Sequence, residues 1–235
     1  MTALSMMYTG NGFLIAADGR CRSDNPESVV EKTRETDQAQ KIFPVETDTL
    51  KMAYALVGFA SNEDGSFETV AELAKQVKLL EMSRFSNGYQ YIHRFCQNIK
   101  RAVMKARTDG RITEFPNNDH LELEEKGRIF RLVFLGYFNG LAFWREAKFY
   151  HDEQLNTIDV RPDDVEIIRH LRCIGPEEIA RSMYEVGIVP DPRIAMYRKN
   201  RSDGDLEYTA SFIRACSDPI ALEIDPVCKD IGGHI

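Results

Sequence analysis

Apolar and polar positions alternate along this chain with two different periods. Near the start, Leu4-Ser5-Met6-Met7-Tyr8 and Phe13-Leu14-Ile15-Ala16-Ala17 have strand character and flank Gly10-Asn11-Gly12, a turn signal. The stretch from Arg22 to Gln40 is rich in charge and short of core residues, and reads as a surface excursion. Strand character returns at Lys41–Val45 and Leu50–Val57. In the latter, Leu50, Met52, Tyr54 and Leu56 fall on one face, with Ala53, Ala55 and Val57 on the other. Helical spacing follows. Ser66 to about Met82 predicts a helix capped by Ser66, with Phe67, Val70, Ala71, Ala74, Val77 and Leu80 as its apolar stripe. Gly88 to about Arg107 predicts a second, on Ile92, Phe95, Cys96, Ile99 and Val103, ended by Asp109-Gly110. Arg128–Phe138 and Leu141–His151 predict a hairpin around Asn139-Gly140. Two more helices are predicted near Pro176–Val186 and Leu206–Cys216, separated by the polar linker Pro190–Gly204.

Strands, two adjacent helices, strands again and then helices define an α+β protein. At 235 residues the chain can bury a full core as one domain. Hydrophobic residues make up 43% and charged residues 29%, the mixture of a soluble globular protein. A net charge of −7 argues against a nucleic-acid partner. No apolar run reaches the roughly 18–20 residues of a membrane span, and no basic-then-apolar leader opens the chain. The five cysteines, Cys21, Cys96, Cys173, Cys216 and Cys228, contain no CxxC pair and point to free thiols in a reduced cytoplasm. No histidine pair has ligand spacing, so neither a metal nor another cofactor is expected.

Thr2 changes the picture. With Met1 removed, the chain would begin with a residue carrying both a hydroxyl and a free α-amine. That amine titrates near ~8, against ~10.4 for a lysine, so a useful fraction is neutral at physiological pH. A threonine with its own amine as base is one form of activated nucleophile.

The run from Thr2, through the glycine turn and the strand ending Asp18-Gly19-Arg20, then Lys41-Ile42-Phe43-Pro44 and Leu56-Val57-Gly58-Phe59-Ala60, resembles the proteasome β-subunit family of N-terminal-nucleophile hydrolases. The resemblance implies a four-layer αββα sandwich of two antiparallel sheets, as a single domain over residues 1–235. It also implies roles. Thr2 falls at the nucleophile, Asp18 and Arg20 at the family's Asp-x-Arg, Lys41 at the active-site lysine and Gly58 at the oxyanion-hole glycine. Cys21 and Leu56 fall where the family lines its substrate pocket. Arg20 and Asp230 are supporting residues. Lys32 is a rival to Lys41 within the same excursion. The family's Gly-Ser-Gly-like segment corresponds to Cys173-Ile174-Gly175-Pro176-Glu177, without the serine. The resemblance also implies a peptide or amide substrate and assembly into a homo-oligomer of the ring kind. The alternative is a catalytically silent structural or assembly subunit of the same fold.

The N-terminal hairpin has two possible registers. A two-residue turn at Gly10-Asn11 sets Thr2 opposite Gly19 and sends Asp18 to the other face. A three-residue loop, Gly10-Asn11-Gly12, sets Thr2 opposite Arg20 and Leu4 opposite Asp18, so that Thr2, Asp18 and Arg20 share a face. Glycines at both ends of the loop favour the second, which is the one expected to make a site.

Overall fold

The computed structural model describes residues 3–19, 40–59, 66–81, 85, 87–115, 127–164, 171–185, 187–189, 191–226, 228 and 231. Two compact units emerge. One combines Met1–Ile42 with Ile168–Ile235, and the other is the continuous stretch Phe43–Ile167. The α+β class expected from the order of elements is what the chain forms, with two antiparallel sheets and helices.

The first unit is built on β1 (Leu4–Tyr8), paired with β2 (Phe13–Ala17) on one side and β8 (Arg172–Ile174) on the other. All five β1 residues are buried, because a central strand has no free edge and here has no solvated face. Helix α5 (Asp205–Ser217) packs on β1 and β2, and α3 (Glu177–Tyr184) packs on α5 and β8. Phe212, Ile213, Ala215 and Cys216 from α5 join Ile179 and Met183 from α3, Ala3 and Ala16 in one core. The segment expected to be a polar linker contains the short helix α4 (Pro192–Ala195) and a 3-10 turn at Arg201–Asp203. Asp191 caps α4 by accepting from Arg193 N, and Pro192 at the first position needs no donor. A last short helix, α6, spans Ala221–Ile224.

The second unit carries a five-stranded sheet in the order β3 (Ile42–Glu46), β4 (Leu50–Gly58), β5 (Arg128–Phe138), β6 (Leu141–Asp152), β7 (Thr157–Asp164). The β5–β6 turn has φ of 49° at Asn139 and 79° at Gly140, the pair of left-handed residues that a type I′ hairpin needs. Helices α1 (Thr69–Glu81) and α2 (Gly88–Thr108) cover one face of this sheet. Asn87 caps α2, its side chain accepting from Gln90 N at 2.8 Å. Tyr91, Ile92, Phe95, Cys96, Ile99, Val103 and Ala106 recur at helical spacing and are all buried against Tyr54, Leu56, Phe134 and their neighbours.

Three boundaries differ from the sequence reading. Helix α1 begins at Thr69, not Ser66, whose Oγ instead donates to Arg111 O at 3.3 Å. Strand β7 follows the β6 hairpin although Arg161-Pro162-Asp163-Asp164 weakens its strand signal. It lies at the sheet edge, where a proline without an N–H is tolerated. Strand β8 has only three residues, too few for a period to show.

Candidate active site

The N-terminal hairpin closes on two residues. Thr9 N donates to Gly12 O at 2.8 Å, which extends the ladder past Tyr8–Phe13 and leaves Gly10 and Asn11 as the turn. Leu4 therefore faces Ala17, not Asp18. This is the register expected to scatter the site, and the three-residue loop is corrected by it. The premise fails for a physical reason. Asp18 lies one residue past the end of β2 and engages backbone, so side-chain alternation along the strand does not decide what its carboxylate reaches.

Asp18 Oδ1 accepts from Ala3 N at 2.9 Å, while Asp18 N donates to Ala3 O at 3.2 Å. Its other carboxylate oxygen, Oδ2, lies 2.9 Å from Lys41 Nζ. Both side chains are withdrawn from water, with 3% of Lys41 and none of Asp18 exposed. Lys41 comes from the segment just before β3, so residues 23 apart in the chain meet as a buried ion pair. The amide they anchor belongs to the residue bonded to Thr2. On the other edge of β1, Leu4 faces Ile174 and the chain turns at Gly175 with φ of 128°. A non-glycine residue would be strained at that φ. The Cys173–Glu177 segment thus runs past the N-terminal end of β1.

Three cysteines of this unit lie close by, which spacing alone did not reveal. Cys216 on α5 hydrogen-bonds with Cys228 and feels the charge of Asp18. Burial, then Cys228, Cys173 and Asp18, push the Cys216 thiol far above its ordinary range, and burial does the same to Cys173. These sulfurs stay protonated and behave as small apolar groups. Cys96, buried in the other unit, is pushed up to about 12 by the same desolvation. Ser5, also buried, donates from Oγ to Thr209 O at 2.6 Å and so ties β1 to α5. Strand β1 is held by its two sheet partners and by this side-chain bond.

In the second unit, Gly58 ends β4 opposite Phe130, with φ of 115°. A Cβ there would stand 2.9 Å from Ile129 O and from Phe130 Cα, so the backbone alone accounts for a glycine. Leu56 is 1% exposed and belongs to the helix-side core with Met52 and Tyr54. Thr2, Arg20, Cys21, Lys32 and Asp230 lie outside the described residues. Among the described residues no three His, Cys, Asp or Glu side chains come together as a metal site. No helix among them is long and apolar enough to cross a membrane.

No family model matches the chain, and no curated protein matches it. Among solved structures it is similar to Anbu (ancestral beta-subunit) from Yersinia bercovieri, with a TM-score of 0.48 and 12% sequence identity. The match covers 83% of this chain and 70% of that one. At that identity and score the likeness carries nothing about activity.

Proposed function

We propose that this chain is an N-terminal-threonine amide or peptide hydrolase of the proteasome β-subunit kind, with Thr2 as nucleophile after loss of Met1. The observation that carries this is the buried Asp18–Lys41 pair, tied to the amide of Ala3 beside Thr2. Burying two charges costs several kcal/mol per ion, and their attraction seldom turns that into net stability. An ammonium kept buried beside the start of β1 therefore calls for a chemical use.

In this mechanism Thr2 Oγ attacks the substrate carbonyl carbon, and its proton passes to the α-amine of the same residue, directly or through a water. The Lys41 charge lowers the pKa of that amine, enlarging the fraction able to act as base. Asp18 keeps the ammonium charged and in place. Gly58 N–H stabilises the oxyanion, a donor worth roughly 3 kcal/mol. The tetrahedral intermediate collapses with cleavage of the C–N bond, and the leaving amine takes the proton from the α-ammonium. An ester on Thr2 remains. Water, deprotonated by the freed amine, then hydrolyses it. Arg20 and Asp230 support neighbouring backbone, and Cys21 shapes the substrate pocket, whereas Leu56, closed within the helix-side core, is not free to line it. The described cysteines are free, and Cys96, Cys173 and Cys216, pushed up by burial, are not rival nucleophiles, which suits a reducing cytoplasm. Assembly as a homo-oligomer, in a ring, belongs to the same reading.

A second reading, a catalytically silent assembly subunit, is favoured by the Cys173–Glu177 segment, which lacks the serine of the family pattern. Intact mass of the protein from its native host, with and without a β-lactone or epoxyketone probe, separates the two. The enzyme reading expects loss of one methionine and a single adduct on Thr2, absent in Thr2→Ala. A retained Met1 with no adduct overturns it in favour of the silent subunit.

A further inference from the structure

On the outer face of α2, in the second unit, Gln90, His93, Arg94, Gln97, Asn98 and Arg101 recur at helical spacing opposite the buried stripe. With Tyr89, Asn87 and Arg145 of β6 they line a groove of about 730 Å³. Among the described residues that line it, every ionisable group except the Tyr89 phenol is basic, and none is a carboxylate. This stands out in a chain whose net charge is −7. Arg94 and Arg101 are exposed, and among the described residues neither forms an ion pair with a carboxylate. Arg145 lies with its guanidinium 4.1 Å from the centre of the Tyr89 ring, which holds that fork flat at the edge of the groove. The first turn of α2 carries no acidic residue, and its N-terminus is capped by the neutral Asn87 side chain.

We propose that this groove is a binding site for a small phosphorylated ligand, separate from the Thr2 chemistry and independent of it. Three requirements point to that ligand class. The groove, of about 730 Å³, is open to solvent and wide enough to admit a small charged molecule. Guanidinium forks match phosphate oxygens with paired, charge-assisted hydrogen bonds. The side-chain amide of Gln97 offers further N–H donors to oxygens that the arginines leave free, while the Asn98 amide already donates to Gln76 Oε1 at 3.0 Å. An acidic peptide would satisfy the charge alone, and is the competing occupant that the test must separate.

Inorganic tripolyphosphate is the probe, titrated calorimetrically into the purified full chain at two salt concentrations, with hexaglutamate as comparison. The result expected is saturable binding of one tripolyphosphate per chain, weakened by salt and stronger than that of hexaglutamate. Arg94→Gln with Arg101→Gln should weaken it at least tenfold while the melting temperature stays within a degree or two, since both side chains are on the surface. The single Arg101→Gln should give an intermediate affinity. Binding that is absent, unchanged in the double variant, or weaker than that of hexaglutamate would overturn the proposal. Labelling of Thr2 by a β-lactone should be the same in wild type and the double variant, so failure here leaves the hydrolase reading untouched.

Discussion

Lys41 Nζ is held among buried atoms by Asp18 Oδ2, 2.9 Å away, and Asp18 is in turn fixed by Ala3 N. Removing one partner strands the other. Lys41→Met is expected to lower stability by about 3–5 kcal/mol, because the carboxylate is left buried without compensation. Asp18→Asn combined with Lys41→Met should lose less than the sum of the two single changes, as groups in direct contact do. Urea unfolding of the four proteins measures this, and simple additivity would mean that the pair does not interact in solution. Under the hydrolase reading all three variants also lose turnover, including the double one. Recovery of stability without recovery of activity would separate what the pair does for the fold from what it does for the chemistry.

At the scale of elements, the long amphipathic segments were legible and the short or backbone-governed ones were not. Helix α2 and the β5–β6 hairpin show in the sequence because seven buried positions repeat at helical spacing and because Asn139-Gly140 suits only one kind of turn. Strand β8 escaped because three residues cannot display a period, and β1 gains its second neighbour only through them. The site was legible as residue types at a spacing: Asp18 and Lys41 meet across 23 residues. Its geometry was not, since the hairpin register turns on one backbone bond, Thr9 N to Gly12 O, which only the two-residue turn makes and which the run Gly10-Asn11-Gly12 does not announce. Sheet packing also sets residue choice where no motif announces it. Gly136 of β5 faces β4 so closely that a Cβ would sit 2.3 Å from Lys51 O and 2.5 Å from Met52 Cα. Gly136→Ala should therefore destabilise the second unit by about 1–3 kcal/mol, the usual range for overpacking, read as a lowered urea midpoint. An unchanged midpoint would mean that β4 and β5 can part locally without loss.

For the whole molecule, each unit has its own core, and each core contains a thiol that can report on it: Cys216 in the first and Cys96 in the second. With its thiol pushed up to about 12, Cys96 is a thiolate in only about one molecule in ten thousand at pH 8, before burial restricts access. Neither cysteine should react with iodoacetamide at pH 8 in the native protein, and both should react once urea unfolds it. Peptide mapping after a short labelling pulse checks this, and modification of Cys96 or Cys216 without denaturant would contradict their burial.

Strand β1 lies between a partner that follows it at once, β2, and one that arrives only near residue 172. On the ribosome, the N-terminal hairpin can form as soon as it emerges. The second edge of β1 stays unpaired until the whole of the other unit has been synthesised. Strand β1 is thus paired on one edge early and on the other late, and it acquires its full set of neighbours only after the whole of the second unit has been made.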